Sequence, residues 1–524
     1  YSKAKRRTLS ANDDQDFFGT VNATISSLIL RADGFSGVTG GTPPKVTALN
    51  RTGQTVDILD GRLYTLNSVT SPAEPLMTNE ISGLKLNAAR ELNLPFYARI
   101  QTGLDIAENA RDLRADTRTW TFRSTGTATE RLVGTYDLIN DSYSSTRTFP
   151  NGDRVRWIDP AKVYHLYQQQ PSYFVLNETS AYTSRVNGSL KLKETVSAGY
   201  VRGDVRLLNN RLWLVGGVRY ERTDDEGRGP LNDLRATYQQ DASGNLIRNA
   251  AGAPIKVSTD ALTLARLQYK ERGSYTKKHY DDFYPSLNAS YTLSENFVAR
   301  AAYASTIGRP DLASIIPSRS VADPTATDAN RVINTTNAAL KPWSADNYDV
   351  TLESYSVKGA TVSIAGFRKD IRGFFTSTRT DATMALLTDM GLPDDYLDYD
   401  VITTGNSKDP VRVTGLEWSW RQSLKPFTAL PAWVRGFQLW ANGTHLRLSG
   451  PGQENFDGYS PRIINWGATY TTARFLLRYN VSRIGRTRAS LDAVSSTVPA
   501  GTYQAQETRM VMDSSIEYRF DLSL

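Results

Sequence analysis

Cysteine is absent from all 524 residues. That excludes disulfide frameworks and thiolate metal sites, and it suits an exported bacterial protein better than a eukaryotic secreted one. Histidine is scarce: His165, His279 and His445 are the only three, far apart in the chain, and each reads as structural. No metal or cofactor site is expected. Long apolar runs are missing as well. The longest charge-free stretch, Val163–Asn177, contains three glutamines, so no helix here can span a bilayer. "YSKAKRRTLS" at the start lacks the apolar core of a signal peptide. There is no Gly-x-Ser-x-Gly, no Walker loop and no His-Glu-x-x-His, so no catalytic residues are assigned and no enzyme is expected. Lys+Arg 61 against Asp+Glu 54 leaves +7, spread along the chain. The one basic run, "KAKRR" (Lys3–Arg7), reads as a solvated turn or strand end, and no nucleic-acid partner is implied. No linker or composition break divides the chain.

What is present is a period of two. In "SSIEYRFDLSL" (Ser514–Leu524), Ile516, Tyr518, Phe520, Leu522 and Leu524 alternate with Ser515, Glu517, Arg519, Asp521 and Ser523. Such a segment is a strand with one apolar and one wet face. The pattern recurs in Phe475–Arg483, Thr414–Arg421, Asn347–Tyr355 and Phe297–Tyr303. About fifteen such segments occur, most roughly ten residues long, the length a tilted strand needs to cross a bilayer.

The connections alternate between short and long. "LNN", "SEN", "KGA" and "TTA" join strand pairs, and a long segment follows each pair. The long loops are placed near 125–193, 224–282, 308–345, 373–410 and 486–508. In an antiparallel meander, short links gather at one end and long ones at the other. That asymmetry belongs to outer-membrane barrels, with periplasmic turns and extracellular loops. "KPFTALPAW" (Lys425–Trp433) is longer than a tight turn and blurs the rule. A mean hydropathy of −0.43 is compatible with strands that are only half apolar.

Cost assigns the faces. Arg on the lipid face costs roughly 2–4 kcal/mol at the midplane. Arg300, Glu353, Glu417, Arg421, Arg478 and Arg519 all fall on the polar side of their strands, so they are expected to face a wet lumen. Trp213, Tyr303, Tyr348, Trp466 and Tyr479, near strand ends, are read as interface aromatics. A soluble all-β protein would need a second layer over the apolar rows, or propeller repeats of about forty to fifty residues. No such repeat is present.

From Pro285 the chain resembles the barrel of TonB-dependent outer-membrane receptors. "PSLNASYTLSENFVARAAYASTIGRPDL" is similar to a family hairpin ending in Ser/Thr-x-x-Arg-Pro, carried by Thr306, Arg309 and Pro310. "NAALKPWSADNYDVTLESY" follows, with Asn337, Leu340, Lys341, Pro342, Asn347, Tyr348, Asp349 and Glu353 at the motif positions. "FRKDIRGFF" places Lys369 and Asp370, and "VTGLEWSWRQSL" places Gly415 and Glu417. "ETVSAGYVRGDVRLLNNRLWLVGGVRYERT" upstream resembles the family's mid-barrel hairpin. These motif residues are read as barrel architecture.

The resemblance implies an all-β, antiparallel up-and-down transmembrane β-barrel. About 15–16 strands of a 22-stranded barrel are expected here. The family's plug domain and TonB-interacting segment are not seen, and the domain, spanning 1–524, is expected to be truncated at both ends. The first strand is placed at Phe17–Leu30. The resemblance further implies residence in the outer membrane of a Gram-negative bacterium. Its implied partners are membrane lipid, a small-molecule or oligosaccharide ligand, and TonB. The implied function is energy-dependent uptake of a scarce ligand such as a ferric siderophore or oligosaccharide. A passive porin-like channel without a plug is the alternative, and a soluble secreted β-protein a third. Ligand contacts are sought in two aromatic clusters: Tyr164, Tyr167 and Tyr173, and then Tyr269, Arg272, Tyr275, Lys277 and Tyr280 with Lys270 and Lys278.

Overall fold

The computed structural model describes residues 2–7, 18–33, 45–72, 75–123, 128–146, 154–311, 314, 316, 318–322, 331–337, 340–456, 458–491 and 502–520. Its main body is one fourteen-stranded sheet. The strands are β1 (Ser2–Arg7), β2 (Leu76–Glu91), β3 (Ala98–Arg114), β4 (Ser189–Leu207) and β5 (Leu212–Asn232). Then come β6 (Tyr269–Ser294), β7 (Phe297–Gly308), β8 (Trp343–Ser354), β9 (Ala360–Arg372) and β10 (Val411–Ser423). The set ends with β11 (Phe437–Ser449), β12 (Arg462–Thr471), β13 (Phe475–Ile484) and β14 (Arg509–Tyr518). Each pairs antiparallel with the next, so the sheet is an up-and-down meander with β1 and β14 at its edges. Among the described residues this sheet has fourteen strands, beside the expected fifteen or sixteen. "KAKRR" lies within β1 and not in a turn.

Short links at 92–97, 208–211, 295–296, 355–359, 424–436 and 472–474 gather at one end. Links 8–75, 115–188, 233–268, 309–342, 373–410, 450–461 and 485–508 gather at the other. The turns have the backbone they need. Leu208, Asn209 and Asn210 all take positive φ, a conformation asparagine tolerates. Gly359 has φ +76, and a Cβ there would lie 2.7 Å from the Ser423 carbonyl oxygen.

Register fixes the faces, because directly paired residues point to the same side. Leu86 and Leu104 pair, as do Leu352 with Ile364 and Ile464 with Gly443. On that side Leu86 is 55 %, Leu104 59 %, Leu287 53 % and Val350 56 % exposed. A contiguous apolar face this open is stable only against another apolar phase, and no layer of the described residues covers it. The opposite face carries Arg300 paired with Thr351, Glu417 with Ala365, Arg421 with Trp440 and Arg478 with Ser515. Glu353 lies there too, 3.2 Å from Arg300. Arg519 follows β14 and reaches Glu517 on the same side.

Two placements differ from expectation. Trp213 pairs with Arg206 and Ser290, so it points to the polar face and is not an interface aromatic. The 224–282 loop shrinks to 233–268, because β5 and β6 run on as strands. Above the Tyr220–Phe283 ring pair (5.0 Å), the outward side carries Arg222, Asp224, Glu226, Lys277 and Asp281. These face water beyond the apolar band, so the strand continues after its hydrophobic alternation stops.

The long links build two small cores of their own. Phe18, Leu66, Val69, Phe122, Val133, Leu138, Val163 and Phe174 form one, around a sheet ordered 174–176, 119–122, 65–70 and 20–24. The strand expected at Phe17–Leu30 is therefore a loop-core strand, Thr20–Thr24, and Phe17 lies outside the described residues. Ile333, Leu387, Leu392, Tyr396, Tyr399 and Val401 form the second.

The face assignment makes a prediction. Leu104→Arg, at the centre of the open apolar row, is expected to destabilise the folded barrel in detergent by roughly 2–4 kcal/mol. Ser515→Arg on the polar face is expected to change it by under about 1 kcal/mol. Urea unfolding followed by tryptophan fluorescence measures both, and equal effects would contradict the assignment.

Candidate ligand-binding vestibule

The motif segments, dispersed from Thr306 to Gly415, come together on the polar face of β7 to β10. Asn347 donates from Nδ2 to the Ala304 carbonyl and to Thr306 Oγ1, both at 3.0 Å. Asn347 pairs with Lys369, and Asp349 with Phe367. Phe367 in turn pairs with Gly415. A Cβ at Gly415 would lie 2.3 Å from the Phe367 ring, so glycine is required where the ring lies. Asp370 points outward and holds Arg368 and Arg412 at 2.6 and 2.7 Å. Tyr348 also points outward, with Tyr303 at 5.2 Å.

Loop 309–342 is tied back onto the wall. Pro310 begins it without an N–H that a ladder would need. Arg309 pairs with Glu221, and its Nε donates to Thr223 Oγ1 at 3.3 Å. Lys278 Nζ donates to the Leu340 carbonyl at 3.2 Å. Asn406 accepts from the Lys341 N–H at 2.8 Å and donates to its carbonyl at 2.7 Å. The Leu340 N–H donates to the Asn337 carbonyl at 3.1 Å, and Pro342 leads into β8.

Under this strap lies a half-buried polar row. Asn109, Glu194, Asp225 and Lys278 are successive partners across β3 to β6. Asp225 is 1 % exposed, and among the described residues Asp225 Oδ1 and Asn109 Oδ1 have no hydrogen-bond partner. Asp225 lies five residues beyond Tyr220, outside the apolar band. Burial first, and Glu194 second, push its carboxyl from 3.8 to about 6, against the pull of Lys278 and Arg309. Burial likewise lowers the Lys278 ammonium and raises the Tyr280 phenol.

A cavity of about 750 Å³ opens among the loops. Ser318, Ser320, Asn334, Thr335, Ser377 and Thr403 are among its hydroxyl and amide groups. Among the described residues lining it, Arg319 is the one cationic side chain, and both its terminal nitrogens already donate to the Met390 and Asn232 carbonyls.

The aromatic clusters are placed differently from one another. Tyr164, Tyr167 and Tyr173 pack on the first loop core, with Tyr164 and Tyr167 at 5.4 and 5.7 Å from Phe18. Tyr269 is half-buried, and its carbonyl accepts from Tyr182 at 2.8 Å. Arg272 binds Asp112 at 2.5 Å and donates to Ser189 Oγ at 2.9 Å. Tyr275 and Lys277 point outward, with Arg228 over the Tyr275 ring and Lys277 on Glu226. Lys278 belongs to the polar row, and Tyr280 lies on the same face two residues on. Glu221, Thr223 and Asp225 are not among the residues expected from the sequence. Their signal was a spacing of two, which places Glu221, Thr223 and Asp225 on one face.

The sequence profile "TonB dependent receptor-like, beta-barrel" matches residues 11–524. The chain belongs to this family of TonB-dependent receptor barrels. The family is one of receptors and transporters of the Gram-negative outer membrane. No curated protein matches the sequence. Among solved structures, the unliganded ferric citrate transporter FecA shares 11 % identity, with 88 % of this chain and 50 % of that one covered, at TM-score 0.46. The ferric-catecholate import receptor Fiu from K12 E. coli shares 14 %, with 94 % and 53 % covered, at TM-score 0.45. The ferric yersiniabactin uptake receptor FyuA from Yersinia pestis shares 11 %, with 87 % and 49 % covered, at TM-score 0.42. The chain thus spans about half the length of these proteins.

Two substitutions test the TonB-dependent receptor vestibule. Asp225 carries a raised folded-state pKa, so its ionisation penalty is nil below pH 3.8, grows up to about pH 6 and is constant above. Asp225→Asn is therefore expected to raise thermal stability at pH 7.5, by up to about 3 kcal/mol, and to leave it unchanged near pH 3.5. Melting followed by circular dichroism at both pH values checks this. Arg309→Ala removes one of the two cations on Glu221, 8 % exposed, and leaves Arg219 at 2.8 Å. The expected loss is roughly 1 kcal/mol, because Arg309 is partly exposed and Glu221 stays paired. Faster protease cleavage within 309–342 is the readout, and unchanged cleavage would contradict the tie.

Proposed function

We propose that the protein is an outer-membrane receptor for energy-dependent, TonB-coupled uptake of a scarce polar ligand. Membership of the TonB-dependent receptor family supports this. The observation that carries it is the hydroxyl-lined cavity among folded loops at one end of the meander. A passive channel needs no loop cores of this kind over its mouth. Substrate entering there meets the polar row beneath, and Arg300, Glu353, Glu417, Arg421, Arg478 and Arg519 line the path beyond. Tyr280 is the one residue of the two aromatic clusters that we retain as a candidate ligand contact.

Of the two ligand classes, the lining favours the neutral, polyhydroxylated one. An anionic iron chelate calls for free cations, and Arg319 is already engaged. Serine, threonine and asparagine side chains offer both donors and acceptors to sugar hydroxyls. The test is growth of a gene-deletion strain on single oligosaccharides and on single ferric siderophores, with and without a functional TonB system. The expected result is loss of growth on at least one oligosaccharide, reproduced by loss of TonB. A defect confined to siderophores would overturn the ligand reading, and unchanged growth on every compound would overturn the uptake reading.

A further inference from the structure

The outward face of the barrel carries charges that the uptake path never meets. Arg447 on β11, Arg462 on β12 and Arg483 on β13 all lie within three residues of the long-link ends of their strands. His445 pairs with Arg462, and Ile464 with Arg483. Arg447 is therefore diagonal to Arg462, and Arg462 diagonal to Arg483, at a spacing of about 7–8 Å. All three are exposed. Among the described residues none of them has an ion pair or a side-chain hydrogen bond. The neighbouring outward arginines differ: Arg368 and Arg412 share Asp370, and Arg372 holds Asp346. Around the file the outward partners are Thr414, His445, Ile464 and Met510, with no carboxylate.

Directly below, toward the short-link end, the same face is apolar and open. Leu416 is 51 % exposed, and Trp418, Ile464 and Trp466 are each 38 % exposed. The file therefore stands where an apolar band ends. Three like charges held at this spacing repel one another unless an anion lies between them, and guanidinium groups match phosphate oxygens with paired N–H donors.

We propose that Arg447, Arg462 and Arg483 bind the phosphates of a phosphorylated lipid headgroup in the membrane leaflet at the long-link end. Lipid is favoured over a soluble anion by position. The file points away from the vestibule and lies on the rim of the face that lipid chains cover. Its bound lipid would fix the barrel's height in the membrane beside the three shortest-looped strands. This rests on the membrane placement of the barrel and not on the uptake reading.

The test uses the full-length protein in detergent, titrated with lipid A, with lipid A stripped of its phosphates, and with inorganic phosphate, and read by native mass spectrometry. The expected result is lipid A retention that weakens roughly 100-fold in R447Q/R462Q/R483Q, taking about 1 kcal/mol per arginine. The corresponding triple lysine variant is expected to stay within about fivefold of wild type, because charge is kept. Arg483→Gln alone, the mildest change, is expected to cost about fivefold and serves if the triple variant does not fold. Heat-modified mobility on gels reports folding for every variant. Unchanged retention in the folded glutamine variants would overturn the proposal. So would equal binding of phosphate-free lipid A, or displacement of lipid A by inorganic phosphate at matched concentration.

Discussion

The fold depends on one constraint: a wide antiparallel sheet turns a row of leucine, valine, isoleucine and aromatic side chains outward with nothing of its own to cover them. Water would leave that face unstable, and hydrocarbon does not. Hydrocarbon brings a second demand, because no backbone group within it can turn to water for a hydrogen bond. The meander meets that demand by pairing each strand with its neighbour in order from Ser2–Arg7 to Arg509–Tyr518. Arginine and glutamate then have one place to go within the band, the face opposite the lipid. Arg300 with Glu353 shows the result, an ion pair on the wet side of an otherwise apolar wall.

Beyond the band the rules change, and the proposed ligand site lies there. Strands β5 and β6 rise past Tyr220 and Phe283 with charge on both faces. The links above them are long enough to form their own hydrophobic cores, which holds the vestibule in shape without help from lipid. Arg309, at the root of one such link just after β7, ties it to Glu221 and Thr223 on β5, two strands earlier in the chain. The same contact closes over Asp225 and leaves a carboxyl buried without a full set of partners. Such a group is costly in a wall built only for stability. It fits the proposed binding of a polar ligand in the chamber above.

Much of this was legible in the residues. Alternation gave the faces of Phe475–Ile484 and Trp343–Ser354 because lipid enforces it at every second position. The family motifs located the hairpins, and the structure adds why they recur together: Phe367 lies over Gly415, and Asn347 bridges to Thr306. Legibility failed where lipid stops selecting. The upper halves of β5 and β6 look like a loop because both faces are wet. Trp213 looks like an interface aromatic because its polar-face neighbours, Arg206 and Ser290, lie on the two adjoining strands and not beside it in the chain. Tyr164, Tyr167 and Tyr173 look like a binding cluster because nothing local shows that Phe18 and Phe122 pack beside them. The row of Glu221, Thr223 and Asp225 has the right period but needs Arg309, over eighty residues on, to become a site.

The absence of cysteine from these residues makes the central claim directly measurable. Single cysteines at successive positions from Arg99 to Ala107 on β3, each carrying a nitroxide in lipid vesicles, report exposure to oxygen and to a water-soluble nickel chelate. The account predicts a period of two, with Ile100, Thr102, Leu104 and Ile106 meeting oxygen in the hydrocarbon and the intervening positions meeting the chelate. Even-numbered positions shielded from both reagents, or open to the chelate, would contradict it.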